Sequence, residues 1–155
     1  MIEKKALTKE QTKDKALRLL EYRNHSEFEL RQKLSMAGAK DDDIDSALAF
    51  CIEYGFVNDE NYALCLARDL NKIKKYGKQR IYLELKNRGL SAENIEAALS
   101  EIEDDTNVLF QMIEKKLKGD FSRKNCDKAI RYFMYRGYGL TDIKNSIERL
   151  ISYEL

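Results

Sequence analysis

The sequence indicates its fold most clearly at Leu30-Arg31-Gln32-Lys33-Leu34-Ser35-Met36-Ala37-Gly38. Leu30 and Leu34 stand eight and four positions before Gly38, and this spacing places both side chains on one face of an α-helix. A glycine directly after such a run is typical of the left-handed residue that ends a helix. The stretch therefore predicts an amphipathic helix that ends next to Gly38.

The same pattern occurs twice more along the chain, at Ile81, Leu85 and Gly89 and again at Ala129, Phe133 and Gly137. The three glycines are about 50 residues apart, which leaves room for three helices in each repeat. Apolar residues also recur six and ten positions beyond each glycine, namely Ile44 and Leu48, Ile95 and Leu99, and Ile143 and Ile147. Because one such repeat buries little apolar surface alone, we predict an all-α protein that forms an elongated stack of three tandem three-helix repeats.

Helix-start signals set the boundaries of these repeats. Ser26 and Glu29 have the spacing of a capping box, in which each side chain accepts a hydrogen bond from the other residue's backbone. Further N-caps are expected at Asp41, Asn58 or Asp59, Ser91, Ser122 and Thr141. We place an N-terminal tail at 1–11, repeat 1 at 12–54, repeat 2 at 56–103 and repeat 3 at 105–155.

The composition excludes several classes of protein. The chain has 155 residues, no proline and 43% hydrophobic residues, which argues against turn-rich β-sandwiches and disordered chains. It has no apolar run of about 18 residues and no signal-peptide pattern, so we expect a cytoplasmic protein without a membrane span. Cys51, Cys65 and Cys126 are far apart, and His25 is the single histidine, so the ligand spacing of a zinc site is missing.

The charges nearly cancel in total but are segregated along the chain. The net charge is +1, from 28 basic and 27 acidic residues. Residues 68–88 carry a net +6 and residues 113–136 a net +5, whereas 41–55 and 91–105 carry −5 and −6. If the repeats stack with a constant handedness, the basic turns lie along one side of the stack and attract a polyanion or an acidic protein. Alternatively, they are solvated helix faces with intrahelical pairs such as Glu84–Arg88.

Aromatic residues lie within the two basic segments, namely Tyr76, Tyr82, Phe121, Tyr132, Tyr135 and Tyr138. Exposed rings stack on single-stranded bases in many nucleic-acid-binding proteins. In other proteins such rings form the edge of the core with their hydroxyl groups in solvent. Tyr76-Gly77 stands out because it lies inside a basic turn.

The sequence offers no set of residues for catalysis. His25 directly precedes Ser26 of the capping box, and the cysteines have no neighbouring base. Glycine-rich loops that bind phosphate are missing as well. We therefore predict a protein that is not an enzyme and that needs neither a metal nor another cofactor.

Three stretches resemble the RecX family, the bacterial regulators of the RecA recombinase. The first runs from Ala16-Leu17-Arg18-Leu19-Leu20 to Gly38, and the second from Gly55-Phe56-Val57-Asn58-Asp59 to Arg88-Gly89-Leu90. The third is Tyr135-Arg136-Gly137-Tyr138-Gly139 with Ile143. One departure is Met36-Ala37 before Gly38, where the family usually places a basic residue. The resemblance covers about residues 12–152.

This resemblance implies a right-handed stack of three-helix units, without a catalytic site, that docks in the groove of a RecA–single-stranded-DNA filament. Such a protein inhibits filament growth, ATP hydrolysis and strand exchange, and so lowers homologous recombination, DNA repair and the SOS response. It binds single-stranded DNA itself only modestly and is expected to be a monomer. The candidate RecA- and DNA-binding residues are Lys72, Lys74, Lys75, Tyr76, Gly77, Lys78, Arg80, Arg88, Lys115, Lys116, Lys118, Arg123, Lys124 and Arg136.

Two other functions fit the same pattern of charge. The chain is alternatively a general single-stranded-nucleic-acid-binding protein that acts without RecA, or a scaffold that binds charged peptides. Tight binding to single-stranded DNA in the absence of RecA, with a steep salt dependence, distinguishes the first of these from a RecA regulator.

Overall fold

The computed structural model describes residues 5–103 and 105–154, and over these residues it contains nine α-helices and no strand. The all-α prediction is confirmed. Residues 1–4 of the predicted tail, Asp104 of the acidic segment and the last residue of repeat 3 lie outside the described residues. The helices are α1 (Lys9–Tyr22), α2 (Glu27–Met36), α3 (Asp41–Glu53), α4 (Asp59–Lys72), α5 (Lys78–Asn87), α6 (Ala92–Ser100), α7 (Thr106–Leu117), α8 (Arg123–Tyr135) and α9 (Leu140–Glu154).

The described chain divides into two compact units. The first contains residues 5–66 together with 85–98, and the second contains 67–84 together with 99–154. Helices α4, α5 and α6 each contribute to both units. The boundaries given above for the three repeats stay a prediction. No helix in the described part of the chain has the length and apolar character that a membrane span needs.

The core of the first compact unit is formed where α1, α2 and α3 pack against one another. Leu30, Leu34 and Ile44 are completely buried, as the spacing around Gly38 predicts. Cys51 is buried among them, and burial raises the pKa of its thiol. The side chain therefore behaves as a small apolar residue.

The core of the second compact unit is formed by α7, α8 and α9. Ala129 and Phe133, the two apolar residues of the third pattern, are buried, and so is Ile143 beyond the glycine. Leu109 and Ile113 of α7 fill the other side of this core. The repeated spacing therefore marks core positions in both compact units.

The helix ends agree with the sequence at most of the predicted positions. Gly38, Gly89 and Gly137 have φ angles of +96°, +74° and +99°, which an L-residue with a side chain rarely adopts. The capping box at Ser26 is present, with both reciprocal hydrogen bonds.

Two of the predicted N-caps are wrong. Helix α3 begins at Asp41, so Lys40 is its N-cap, and three aspartates in the first turn favour the helix dipole without any of them being the cap. Helix α9 begins at Leu140, and the backbone oxygen of Gly139 accepts the first helical hydrogen bond from Ile143. Asp41 and Thr141 therefore lie inside their helices.

Helix α1 begins at Lys9, within the predicted tail. The Thr8 hydroxyl accepts a hydrogen bond from the Gln11 backbone at 3.1 Å, and the Gln11 side chain accepts one from the Thr8 backbone at 3.0 Å. Thr8-x-x-Gln11 is thus a second capping box, which an inspection of the sequence for this motif reveals.

Candidate functional site

Two turns with the sequence Arg-Gly make similar contacts in different parts of the chain. Within the second compact unit, the Arg136-Gly137 turn after α8 packs against the start of α5. Within the first, the Arg88-Gly89 turn after α5 packs against the start of α2. We call these the Arg136 junction and the Arg88 junction.

The backbones at the Arg136 junction approach so closely that both glycines are required. The Gly77 N–H donates to the Arg136 oxygen at 2.8 Å, and the Gln79 N–H donates to the Gly137 oxygen at 3.2 Å. A Cβ atom on Gly77 would lie 2.4 Å from the Gly137 oxygen, well inside van der Waals contact. Gly77, a predicted binding residue, is therefore a buried packing residue that holds the two turns together.

A lysine-rich turn between α4 and α5 is fixed by this junction. The Tyr138 hydroxyl donates to the Lys75 oxygen at 2.7 Å, and the Arg136 guanidinium donates to the Lys74 oxygen. The side-chain amide of Asn71 donates to the Tyr76 oxygen at 3.1 Å. These hydrogen bonds hold three successive backbone oxygens of the turn, in which Lys75 adopts a φ of +58°.

The lysine side chains of this segment are exposed to solvent. Lys72, Lys74 and Lys75 are all exposed, and none of them forms an ion pair with any described residue. Residues 72–84 contain five basic side chains and one acidic side chain, that of Glu84. The segment therefore presents a surplus of positive charge.

Arginine, lysine and tyrosine side chains alternate beside the lysine-rich turn. The guanidinium carbons of Arg80 and Arg136 each lie 5.1 Å from the centre of the Tyr76 ring. Arg80 lies 4.7 Å from the Tyr135 ring, and Arg136 lies 5.5 Å from the Tyr132 ring. These distances are within the range of cation–π attraction.

Lys116 of α7 extends this series, because its Nζ atom lies 4.1 Å from the centre of the Tyr132 ring. The series, which we call the arginine–tyrosine ladder, consists of Lys116, Tyr132, Arg136, Tyr76, Arg80 and Tyr135. Together with the exposed lysines at 72, 74 and 75 it forms what we call the basic surface. All of these residues belong to the second compact unit.

Among the described residues, one carboxylate forms an ion pair with the ladder. Glu84 accepts a hydrogen bond from the Nε atom of Arg80 at 3.0 Å, one turn further along α5. This ion pair holds Arg80, and no other cation of the basic surface is paired with a carboxylate in the described part of the chain. The arrangement suits a partner with several negative charges.

The Arg88 junction has a different electrostatic character. Arg88 donates to the Tyr62 hydroxyl at 2.9 Å and lies 3.8 Å from Glu29. Arg23 donates to the same Glu29 carboxylate at 2.8 Å, and the Ser26 hydroxyl donates to the Arg88 backbone oxygen. Arg88 thus shares the Glu29 carboxylate with Arg23 in a network within the first compact unit.

The pKa of Glu29 reflects this network. Burial is the largest single influence and acts to raise the pKa, but the hydrogen bonds from Arg23 and from the Ser26 backbone together lower it below the usual value. The carboxylate is therefore stabilised in its ionised form. Arg88, a predicted binding residue, has a structural partner for its charge.

The other predicted residues are distributed along α7 and α8. Lys115 and Lys118 are exposed near the end of α7, and Lys78, which is partly exposed, begins α5. Arg123 and Lys124 begin α8, about 18 Å along the helix axis from its last residue. Of the basic residues from 115 to 124, Lys116 is therefore the one that contacts the ladder.

The prediction of binding residues omitted Tyr132 and Tyr135, which are 41% and 73% exposed. Both had been noted as aromatic residues within a basic segment. The signal that identifies them is their position in the turn before Gly137, on the same helix end as Arg136.

His25 is buried beside the Arg88 junction. Its Nδ1 atom lies 2.9 Å from the Arg23 oxygen, and its Nε2 atom lies 3.1 Å from the Lys33 ammonium. Burial lowers the pKa of this ring, and the lysine lowers it further, so the neutral form is favoured. Among the described residues, no cluster of three histidine, cysteine or acidic side chains is placed to hold a metal ion.

The chain is similar to known RecX proteins over most of its length. The family model described as the first three-helix domain of RecX matches residues 13–51, and that of the second three-helix domain matches 58–99. The regulatory protein RecX of Vibrio campbellii is 34% identical over 139 residues, which is 88% of this chain and 89% of that protein. RecX of Salmonella paratyphi C is 36% identical over 84% of this chain and 86% of its own length.

The fold is also similar to that of solved structures. RecX from Lactobacillus salivarius superposes with a TM-score of 0.77 over 92% of this chain and 96% of that chain, with 22% sequence identity. A second crystal structure of a regulatory protein RecX gives a TM-score of 0.70 over 93% of this chain and 79% of its own length.

Proposed function

This chain belongs to the RecX family of regulatory proteins, and from that membership we propose that it binds the RecA–single-stranded-DNA filament and inhibits RecA. The protein inhibits filament growth, ATP hydrolysis and strand exchange by RecA. It therefore lowers recombination and induction of the SOS response. The protein acts in the cytoplasm by occupying the filament, and it carries out no chemical step of its own.

The basic surface of the second compact unit is the observation that carries this proposal. A filament that contains DNA presents a regular series of phosphates, and each phosphate that a lysine or arginine neutralises releases counterions. The lysines at 72, 74 and 75 are exposed and are held on a turn of fixed conformation. They therefore bind phosphates without a large loss of backbone entropy.

The arginines of the ladder have a different role in this proposal. Arg136 binds the Lys74 oxygen and the Tyr76 ring, and Arg80 binds Glu84 and two tyrosine rings. Their side chains hold the lysine-rich turn in place and add positive charge beneath it. The lysines make the contacts, and the arginines position them.

The test is inhibition of RecA by a charge-reversal variant. We expect the triple variant Lys72→Glu, Lys74→Glu, Lys75→Glu to need at least about tenfold more protein for half-maximal inhibition of RecA ATP hydrolysis on single-stranded DNA. The matched control is Lys5→Glu, Lys9→Glu, Lys15→Glu, which makes the same change in net charge on exposed residues of the first compact unit.

The control is expected to inhibit like the unmodified protein. Equal inhibition by both triple variants, at equal helical content by circular dichroism, contradicts the proposal. A loss of inhibition in both variants shows that net charge, and not the basic surface, determines binding.

A second candidate function is general binding of single-stranded nucleic acid without RecA. The exposed Tyr135 ring beside several cations favours it, since such proteins combine aromatic rings with basic grooves. Titration of single-stranded DNA in the absence of RecA, over a salt series, distinguishes the two functions. Tight binding without RecA, and no effect on RecA at the same salt, supports this second function.

A further inference from the structure

Tyr135 is a large aromatic residue that the protein leaves in solvent. It is the last residue of α8, and 73% of its surface is exposed. The guanidinium of Arg80 covers one side of the ring at 4.7 Å. The exposure leaves the rest of the ring accessible to a flat partner from solution.

Exposure alone does not assign a function to this ring. Tyr153 of α9 is also 73% exposed, but its ring contact is an edge-on arrangement with Phe110, whose centre is 6.2 Å away. The difference lies in the surroundings, because Tyr135 is an end of the arginine–tyrosine ladder. Tyr153 therefore serves as a comparison for Tyr135.

The ring of Tyr135 is held by a rigid neighbour. Arg80 is fixed by its bond to Glu84 at 3.0 Å and by the Tyr76 ring at 5.1 Å. The same guanidinium lies 3.5 Å from the backbone oxygen of Tyr135. An aromatic surface that is already ordered loses little entropy when a partner stacks on it.

The charges around this ring favour a nucleic acid as its partner. Tyr135 contacts Arg80, and Arg80 contacts the Tyr76 ring next to the exposed lysines, so an aromatic ring and exposed ammonium groups belong to one connected set of side chains. Proteins bind single strands by stacking bases on aromatic rings while basic groups follow the phosphates. An acidic peptide satisfies the lysines but offers no flat group for the ring.

We propose that Tyr135 is a stacking platform for an unpaired base of single-stranded DNA, and that the lysines at 72, 74 and 75 bind the phosphates beside that base. This rests on the proposed function, since it identifies the DNA, and not RecA itself, as the part of the filament that touches the basic surface. The arrangement also gives the protein a direct affinity for unpaired strands.

The test separates stacking from phosphate binding. Fluorescence anisotropy is measured with labelled oligothymidine and with an abasic strand of the same length, about 12 nucleotides, which falls within known site sizes. We expect Tyr135→Ala to weaken binding of oligothymidine by about 5- to 150-fold, the value of one stacked base, and to leave binding of the abasic strand unchanged. Tyr135→Phe keeps the ring and is expected to bind as the unmodified protein does.

Tyr153→Ala is the matched control, because it removes an equally exposed tyrosine outside the ladder, and it is expected to bind both strands normally. The proposal is overturned if the unmodified protein binds the two strands equally, or if Tyr135→Ala changes neither. It is also overturned if poly-glutamate displaces the labelled oligothymidine as effectively as unlabelled oligothymidine does. That result identifies an acidic protein as the partner.

Inhibition of RecA ATP hydrolysis by the same samples distinguishes this inference from the proposed function. Inhibition by the unmodified protein without any preference for bases removes the stacking platform and leaves RecA regulation standing. A clear preference for bases without inhibition keeps the platform and removes RecA regulation.

Discussion

The Arg88 junction and the Arg136 junction have the same Arg-Gly sequence, but a carboxylate lies beside the turn arginine only in the first of them, among the described residues. Each turn packs against the start of a helix that itself ends at a glycine, α2 at Gly38 and α5 at Gly89. Nine positions before that glycine stands Glu29 in the Arg88 junction and Arg80 in the Arg136 junction. Glu29 accepts a hydrogen bond from Arg23 and lies 3.8 Å from Arg88, so one carboxylate offsets part of the positive charge of the first junction. Arg80 repels Arg136, and the two cations instead share the Tyr76 ring.

The comparison shows that one side chain at the start of the neighbouring helix decides whether the arginine of an Arg-Gly turn has a carboxylate beside it. The Arg-Gly pair is the same in both places, and in both the backbone oxygen of the arginine accepts a hydrogen bond from a residue just before the neighbouring helix. The difference arises from a side chain on another helix that the motif does not contain.

The largest effect is expected where the backbones of the Arg136 junction touch. A Cβ atom in Gly137→Ala would lie 2.4 Å from the Arg80 nitrogen, at a φ of +99°. Strain and overpacking together predict a loss of about 2–4 kcal/mol in the free energy of unfolding, measured by urea denaturation. The control is Gly38→Ala, which has a similar φ of +96° but whose nearest contact is 3.9 Å away.

For Gly38→Ala we expect the backbone strain alone, about 1 kcal/mol. Equal losses in the two variants contradict the close contact that defines the Arg136 junction. The comparison thus measures the packing contribution separately from the left-handed conformation.

A smaller effect is expected from the carboxylate of the Arg88 junction. Glu29→Gln leaves two partly buried arginines without their anion, and we expect a loss of about 1–3 kcal/mol in the free energy of unfolding. Glu84→Gln at the Arg136 junction removes one pair within a helix, and the Glu84 carboxylate is more exposed than that of Glu29, 26% against 13%, so we expect less than about 1 kcal/mol.

The pH dependence of the free energy of unfolding also tests the role of the Glu29 carboxylate. Since the folded protein lowers the pKa of Glu29, its contribution to stability is present above the usual glutamate value and is lost as the pH falls through the lowered pKa. Glu29→Gln should therefore flatten the stability curve in acid. A variant with an unchanged slope below pH 4.5 shows that Glu29 is not the stabilised carboxylate.

The sequence predicted the helices and the core positions well, because these depend on local spacing. Leu30, Leu34 and Phe133 are buried as the pattern around each glycine requires. Helix starts were predicted less well at Asp41 and Thr141, since acidic and hydroxyl side chains favour the whole first turn and not only the cap.

The roles of individual charges were predicted only in part. Arg88 and Arg136 look equivalent in the sequence, and only the tertiary contact with Glu29 separates them. The carbonyl that Arg136 binds belongs to Lys74, far away along the chain, so no local pattern reveals it. Tyr135 was visible as an aromatic residue, but its place in the ladder depends on Arg80 from another helix.

The most direct test of the account is to convert the Arg136 junction into the electrostatic type of the Arg88 junction. The variant Arg80→Glu places a carboxylate where Glu29 stands in the other junction, beside Arg136. It is compared with Lys15→Glu, an exposed site on α1 that makes the same change in net charge. The measurement is the concentration of protein that half-inhibits RecA ATP hydrolysis on single-stranded DNA.

We predict that Arg80→Glu keeps its helical content and cooperative unfolding but needs at least about tenfold more protein for inhibition, while Lys15→Glu inhibits normally. Full inhibition by a folded Arg80→Glu variant contradicts the claim that the arginines of the Arg136 junction position a basic surface that RecA filaments bind.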